Sequence, residues 1–251
     1  MEIGFLTDIG CKRRSNQDAV GVYVNQTNIK LAMVADGMGG HQAGDIASQL
    51  TISDLGKAWE TSSLSEQEEI IQWLLKNIQA ENELIYEKGQ TNPEQTGMGT
   101  TLVALVLLED SLIFAHVGDS RFYLIREGKI KQLTDDHSLV NELVKSGEIT
   151  LEMAQTHPRK NVLVRSIGMP GLVEIDVTDM KTLPGDILLV CSDGLTNMVS
   201  DDTILKLTLD APTLEEALSS LVNEANEAGG VDNITVLLAK VTDGVEEVTH
   251  D

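Results

Sequence analysis

The tightest constraint on the fold is a set of short, β-branched apolar runs: Ile3 to Thr7, Val20 to Val24, Leu31 to Ala35, Leu102 to Leu108, Leu112 to Val117, Phe122 to Ile125, Ile187 to Cys191 and Ile234 to Val241. Runs this short, bounded by Gly, Asp and Asn, are strand signals rather than helix signals. They fall in clusters and do not alternate strictly with helices, so an α+β chain with mainly antiparallel sheets is expected, not a doubly wound parallel one. Helical periodicity is clearest from Glu66 to Glu87, where Ile70, Ile71, Leu74, Leu75, Ile78 and Ile85 form one stripe behind a Ser65/Glu68 capping box. A second helix is expected from about Leu214 to Ala228, opened by Thr213 and Glu216 and stopped by Gly229.

Segment 137–165 breaks the pattern. Short helical stretches around Leu139 to Val144 and Leu151 to Gln155, separated by Gly147, mark it as an inserted excursion within one domain spanning residues 1–251. No Pro- or Gly-rich linker divides the chain. No apolar run approaches the roughly 20 residues that a membrane span needs, so a soluble, cytoplasmic protein with no membrane partner is expected. The formal net charge of −22 also argues against a nucleic-acid partner, because like charges repel. Cys11 and Cys191 lack the number for a disulfide framework and the spacing of a zinc site, and both read as buried, inert thiols.

Three apolar strands run directly into an aspartate followed by a small residue: Asp36-Gly37, Asp119-Ser120 and Asp193-Gly194. A fourth aspartate, Asp232, stands just before a strand begins. Any one of these could be ordinary turn chemistry. Together they place carboxylates at the rims of sheets, where several can converge. Clustered carboxylates repel one another unless protonated or neutralised, and hard divalent cations with oxygen ligands are the economical neutralisers. Mg²⁺ or Mn²⁺ suits such a set, whereas zinc normally recruits His or Cys.

These residues carry a family resemblance. The stretches Arg13 to Asp18, Asp36 to His41, Gly97 to Thr101, Gly118 to Arg121, Asp135 to His137, Arg165 to Gly168, Ser192 to Gly194 and Asp232-Asn233 resemble, in order, the motifs of the PPM/PP2C metal-dependent protein serine/threonine phosphatases, the compact bacterial type especially. The resemblance implies a four-layer αββα sandwich of two mainly antiparallel sheets flanked by helices, with the metal cleft at one edge. It also implies hydrolysis of phosphoserine or phosphothreonine by direct attack of a hydroxide bridging two Mn²⁺ or Mg²⁺ ions. Asp36 would bridge the two metals, the Gly37 carbonyl would add a ligand to one, and Asp193 and Asp232 would hold the other. Asp18 would act through metal-bound water, and Asp119 with Asp193 would hold a third, weaker ion.

Arg13 would hold phosphate oxygens through its planar guanidinium, with Arg14 the nearby competitor. His41 would protonate the departing seryl or threonyl oxygen. His116 and His137 read as structural. Gly97 to Thr101 reads as close backbone packing behind the metals. Segment 137–165 would be the flap beside the cleft. Phosphorylated proteins are the expected partners, among them a cognate serine/threonine kinase and its targets. On the residues alone, a metal-dependent phosphohydrolase of small esters and a metal-free signalling module remain alternatives.

Overall fold

The structure is a computed structural model and describes residues 1–40 and 43–242. Its frame is two sheets packed face to face. One runs β1 (Glu2–Asp8), β11 (Ile234–Lys240), β10 (Ile187–Cys191), β7 (Arg121–Arg126) and β8 (Lys129–Gln132). The other runs β2 (Asp18–Val24), β3 (Lys30–Met38), β5 (Leu102–Leu107), β6 (Ser111–Val117) and β9 (Asp176–Lys181), with the two-residue β4 (Gly99–Thr100) beside the end of β3. Every pairing among the described residues is antiparallel.

Strand periodicity divides each run between two cores. In β3, Ala32 and Val34 face the opposite sheet, while Leu31, Met33 and Ala35 face the helices α1 (Ala43–Glu60) and α2 (Gln67–Thr91). In β10, Leu188 and Val190 point between the sheets, whereas Leu189 and Cys191 meet the helical layer that contains α5 (Asp193–Thr196), α6 (Asp201–Asp210) and α7 (Leu214–Glu227). Both faces of the central strands are therefore covered, which explains why these strands read as continuous apolar runs instead of alternating ones. Phe114 and Phe122 meet edge to face across the sheets at 5.0 Å. Each fully buried side chain of this size contributes roughly 1.5–3 kcal/mol, so the four-layer stack follows from the burial of three apolar seams.

The helix α7 matches expectation closely. Leu214, Ala217, Leu218, Leu221, Val222 and Ala225 are buried, Thr213 Oγ1 accepts from the Glu216 amide at 3.2 Å, and Gly229 leaves the helix at φ 135°. The helix α2 buries Ile70, Leu74, Ile78 and Ile85 as expected, but its start differs. Glu66 occupies the N-cap with no side-chain cap, and the Ser65/Glu68 box does not form. The 18-residue helix α1 has no counterpart in the sequence reading, nor do β8, β9 and α6. Cys11 is exposed, contrary to expectation, because it lies on the surface loop that crosses Gly230; Cys191 is buried.

The excursion forms α3 (Leu139–Lys145) and α4 (Leu151–Gln155), each capped by a hydroxyl, Ser138 on Asn141 and Thr150 on Met153. Its two ends are drawn together where Leu139 N donates to Val162 O and Val164 N to His137 O. No helix among the described residues is long and apolar enough to cross a membrane.

Candidate active site

Antiparallel register brings the aspartates together. Asp18, at the start of β2, is the direct cross-strand partner of Asp36 near the end of β3. Asp119 follows β6 in the same sheet, while Asp193 follows β10 and Asp232 precedes β11 in the facing sheet. One edge of the sandwich thus gathers carboxylates from both sheets.

Burial and mutual repulsion dominate their electrostatics. Burial, followed by the negative charges of Asp18, Asp193, Asp119 and Asp232, raises the Asp36 carboxyl well above the ordinary range. Burial also raises Asp18 to about 6 against the opposing hydrogen bonds of Ser192 and Thr235, with Asp193 and Asp232 adding to the rise. Asp119 rises to about 7 through burial and then through Asp193 and Asp136. Asp193 is raised by burial and by Asp232, although it shares a hydrogen bond with Asp36. Among the described residues Arg13 forms an ion pair with this group, its Nη2 lying 2.6 Å from Asp232 Oδ2, and the Arg121 charge also lowers Asp119. One buried oxygen, Asp18 Oδ1, has no hydrogen-bond partner among the described residues.

An all-oxygen donor set, an excess of carboxylates over internal cations and an orphaned buried carboxyl oxygen fit hard divalent ions such as Mn²⁺ or Mg²⁺. The backbone around them is fixed. Asp36 N donates to Thr101 Oγ1 at 2.9 Å, and Thr101 N returns a bond to Asp36 O at 2.9 Å. Gly37 N donates to Gln17 O at 3.0 Å, and Gln17 N donates to Asn233 Oδ1 at 2.8 Å. Asn233 Nδ2 then donates to the carbonyls of Ile9 and Ser15, stitching the Arg13 loop to the Asp232 loop. Ser192 Oγ donates to Asp18 Oδ2 at 2.7 Å and accepts from Thr235 N at 3.0 Å.

The structure therefore brings Asp18, Asp36, Gly37, Asp119, Asp193 and Asp232 to one edge, with Arg13 at its exposed rim. Arg14 is also exposed. His41 lies outside the described residues. Met98 to Thr101 packs closely as expected, Gly99 leaving no room for a Cβ against Ile167 O and Thr100 exchanging both backbone bonds with Ile167, but Gly97 is exposed with open space around it, because it forms the preceding turn at φ 73°. Sequence reasoning assigned no role to Asn233 or Ser192, and to Thr101 only backbone packing, not its side-chain bond to Asp36 N. Asn233 and Ser192 stand directly beside Asp232 and Asp193, and that adjacency was the available signal.

A cavity of about 620 Å³ opens beside the centre. Asp119 and Asp193 stand at one end, Val140, Leu151 and Lys160 of the excursion form a wall, and Arg121 and Asp136 contribute to the lining. Arg121 does not turn to Asp119. Its guanidinium is held in two-point contact by Asp136, Nε to Oδ1 at 2.9 Å and Nη2 to Oδ2 at 2.7 Å, and Nη1 donates to Tyr123. Asp119 is left for the cleft.

Known proteins share this fold and much of this sequence. The family model described as protein phosphatase 2C matches residues 12–239. The serine/threonine phosphatase stp of Listeria monocytogenes is 46% identical over 241 residues, 96% of each chain. The solved serine/threonine phosphatase of S. agalactiae superposes with a TM-score of 0.94 at 48% identity, covering 96% of this chain and 99% of that one. The catalytic domain of serine/threonine protein phosphatase PstP, solved in complex with 2 manganese ions, superposes with a TM-score of 0.85 at 36% identity, covering 96% of this chain and 98% of that one.

Proposed function

The chain belongs to the protein phosphatase 2C family, whose members are metal-dependent serine/threonine protein phosphatases, and from that premise we propose how its own residues divide the work. Asp36, Asp193 and Asp232, with the Gly37 carbonyl, hold two core divalent ions, and Asp119 with Asp193 holds a third. The bound ions would supply the Lewis acidity that makes water a nucleophile at neutral pH. Asp18 orients water in the cleft through the buried oxygen that has no hydrogen-bond partner among the described residues. Hydrolysis is then direct attack on phosphorus, with no covalent enzyme intermediate.

Asp232 cannot serve a cation and Arg13 equally. Arg13 is therefore the group freed to turn its two-pronged guanidinium toward the phosphate oxygens. His41 donates the proton that the departing seryl or threonyl oxygen needs, which general-acid help makes about 10²–10⁴-fold faster. Residues 137–165 act as the flap of a single domain spanning residues 1–251, and the neighbouring cavity receives the part of the substrate protein that flanks the phosphorylated residue. Phosphorylated proteins are the substrates. A serine/threonine kinase and its targets in the cytoplasm are the partners that this chemistry would oppose.

The observation that carries this reading is the gathering of carboxylates from both sheets with too little positive charge among the described residues to balance them. Phosphate release from a phosphothreonine peptide should require added Mn²⁺ or Mg²⁺ and stop in excess chelator. Full turnover under chelation would sink the mechanism, and a preference for nucleotides or cyclic diesters would move the substrate class.

A further inference from the structure

Outside the cleft the structure holds a second cluster of titratable groups, His116, His137 and Asp176, whose donor atoms lie within 4.8 Å of one another. His116 and Asp176 are cross-strand partners on β6 and β9, and the two imidazoles stack at 4.6 Å. The hydrogen bonds argue against a metal here. His137 Nδ1 accepts from Gly118 N at 3.1 Å, so in the neutral ring the proton sits on Nε2, which faces Asp176 Oδ2 at 3.2 Å. His116 Nε2 must likewise carry a proton to meet the carbonyl of Asp135 at 3.1 Å. Neither Nε2 has a lone pair to offer. Arg165 Nη1 also reaches Asp176, at 3.2 Å, and brings a fixed positive charge to the spot that a metal would occupy.

The cluster joins two parts of the molecule instead. His137 opens the excursion and Arg165 closes it, and both are held by Asp176. On its other side His137 exchanges two bonds with Gly118: Gly118 N donates to Nδ1, and His137 N donates to Gly118 O at 2.9 Å. Gly118 immediately precedes Asp119. It sits at φ 109°, with Thr101 packed where a Cβ would be, so the turn holds glycine and lies directly against Thr101. Thr101 Oγ1 in turn contacts Ser120 Oγ at 2.7 Å and accepts from Asp36 N. An unbroken run of contacts therefore leads from Asp36 through Thr101 and the Asp119 turn to His137 and the root of the flap.

We propose that His137 is a positioning residue that fixes Asp119 with one ring nitrogen and the flap root with the other. The assignment for Asp119 rests on its reading above as a catalytic metal ligand; the assignment for the flap does not. Nδ1, by receiving Gly118 N–H, sets the turn that aims Asp119 into the cleft. Nε2, by donating to Asp176 beside Arg165, sets the angle at which residues 138–164 leave the sandwich and so the width of the cavity between flap and metals. The burial of His137, 2% exposed, keeps the Gly118 bond out of water and shields the imidazole end of the Asp176 bond, whose carboxylate is itself half-exposed.

Two substitutions separate the two bonds. In His137→Asn the amide oxygen can take the place of Nδ1 toward Gly118 but cannot reach Asp176; in His137→Gln the longer amide can donate to Asp176 but leaves Gly118 N unpaired. Both variants and Asp119→Ala are assayed at saturating Mn²⁺ on p-nitrophenyl phosphate, which is too small to need the flap, and on a phosphothreonine protein, with thermal midpoints measured alongside. Loss of one buried hydrogen bond is worth about a factor of ten. On the small substrate, kcat should fall about tenfold further in His137→Gln than in His137→Asn, and Gln should need more Mn²⁺ for half-maximal rate. On the phosphoprotein, KM should rise about tenfold further in His137→Asn. Equal losses in both variants on both substrates, following the thermal midpoints, would overturn the proposal and leave His137 a packing residue. Normal turnover in Asp119→Ala would instead remove the reading of Asp119, and the KM order of the two His137 variants would still decide the flap half.

Discussion

The strand β10 carries an aspartate at each end, and the two have opposite surroundings. Asp186, just before Ile187, is buried and answered from within the fold. Arg126 Nε and Nη2 donate to its two oxygens at 2.8 and 2.6 Å, and Leu183 N adds a third bond at 2.8 Å. Desolvation pushes its carboxyl up, but the Arg126 and Leu183 bonds outweigh it and hold the group below the ordinary range. Asp193, two residues beyond Cys191, shares its neighbourhood with Asp36, Asp119 and Asp232 and is raised. Arg126 answers Asp186 alone, whereas among the described residues the carboxylates around Asp193 have Arg13, which is paired with Asp232, an imbalance that suits a cation from outside. This contrast, more than the number of acidic residues, separates site from scaffold here.

The largest test breaks the Asp193 side. Asp193→Ala should lower turnover by about three orders of magnitude or more, since Lewis-acid stabilisation is worth several kcal/mol. In chelator it should be no less stable than the parent, because a repelling charge has gone. Retained activity in steady-state assays would remove Asp193 from the centre. Arg13→Ala comes next. It should raise KM about 10–100-fold, the size of a charge-assisted hydrogen bond, with Arg14→Ala milder; the reverse order would transfer the phosphate contact to Arg14.

Asp186→Ala should do the opposite of Asp193→Ala. Turnover should stay within about twofold, while denaturant unfolding shows a loss of about 1–3 kcal/mol from unpaired buried donors, toward the low end because Arg126 is partly exposed and can rehydrate. A large catalytic defect at unchanged stability would erase the contrast between the two ends.

The smallest effect is one of pH. Asp18 and Asp119 have folded values of about 6 and about 7 against an ordinary 3.8. The unfolded chain therefore loses these protons first, and stability falls as pH climbs from near 4 toward 7; below that window no penalty applies. Mn²⁺ should offset the penalty, so the gain in thermal midpoint on adding Mn²⁺ should grow from pH 4.5 to pH 7. Carboxylates held low, such as Asp176 and Asp186, do not enter that difference. A gain independent of pH would show that the cations do not compete with these protons.

Much of the sandwich is legible in the sequence because its central strands are buried on both faces and so stand out as apolar runs. The helix α1 is not, because the face it buries opens with Ala43, Gly44, Ala47, Ser48 and Thr51, which carry little hydrophobic signal, and Gly56 lies under the ring of Tyr23. The edge strand β9, reading Asp-Val-Thr-Asp-Met-Lys, is largely solvated and has no apolar run to show. In the cleft, each aspartate announces itself by ending or preceding a strand, but the pairing of Arg13 with Asp232 spans 219 positions and no local pattern predicts it. The His137 network is hidden for the same reason: its members come from three strands, strand ends and the flap root, and meet only after the sheets pair.

The most direct measurement is an anomalous difference map from crystals grown or soaked in Mn²⁺, collected on the full chain. Peaks flanked by Asp36, the Gly37 carbonyl, Asp193 and Asp232, with a weaker one between Asp119 and Asp193 and Arg13 turned away from Asp232, are the predicted result. An empty aspartate cleft, or manganese seated instead between His116, His137 and Asp176, would contradict it.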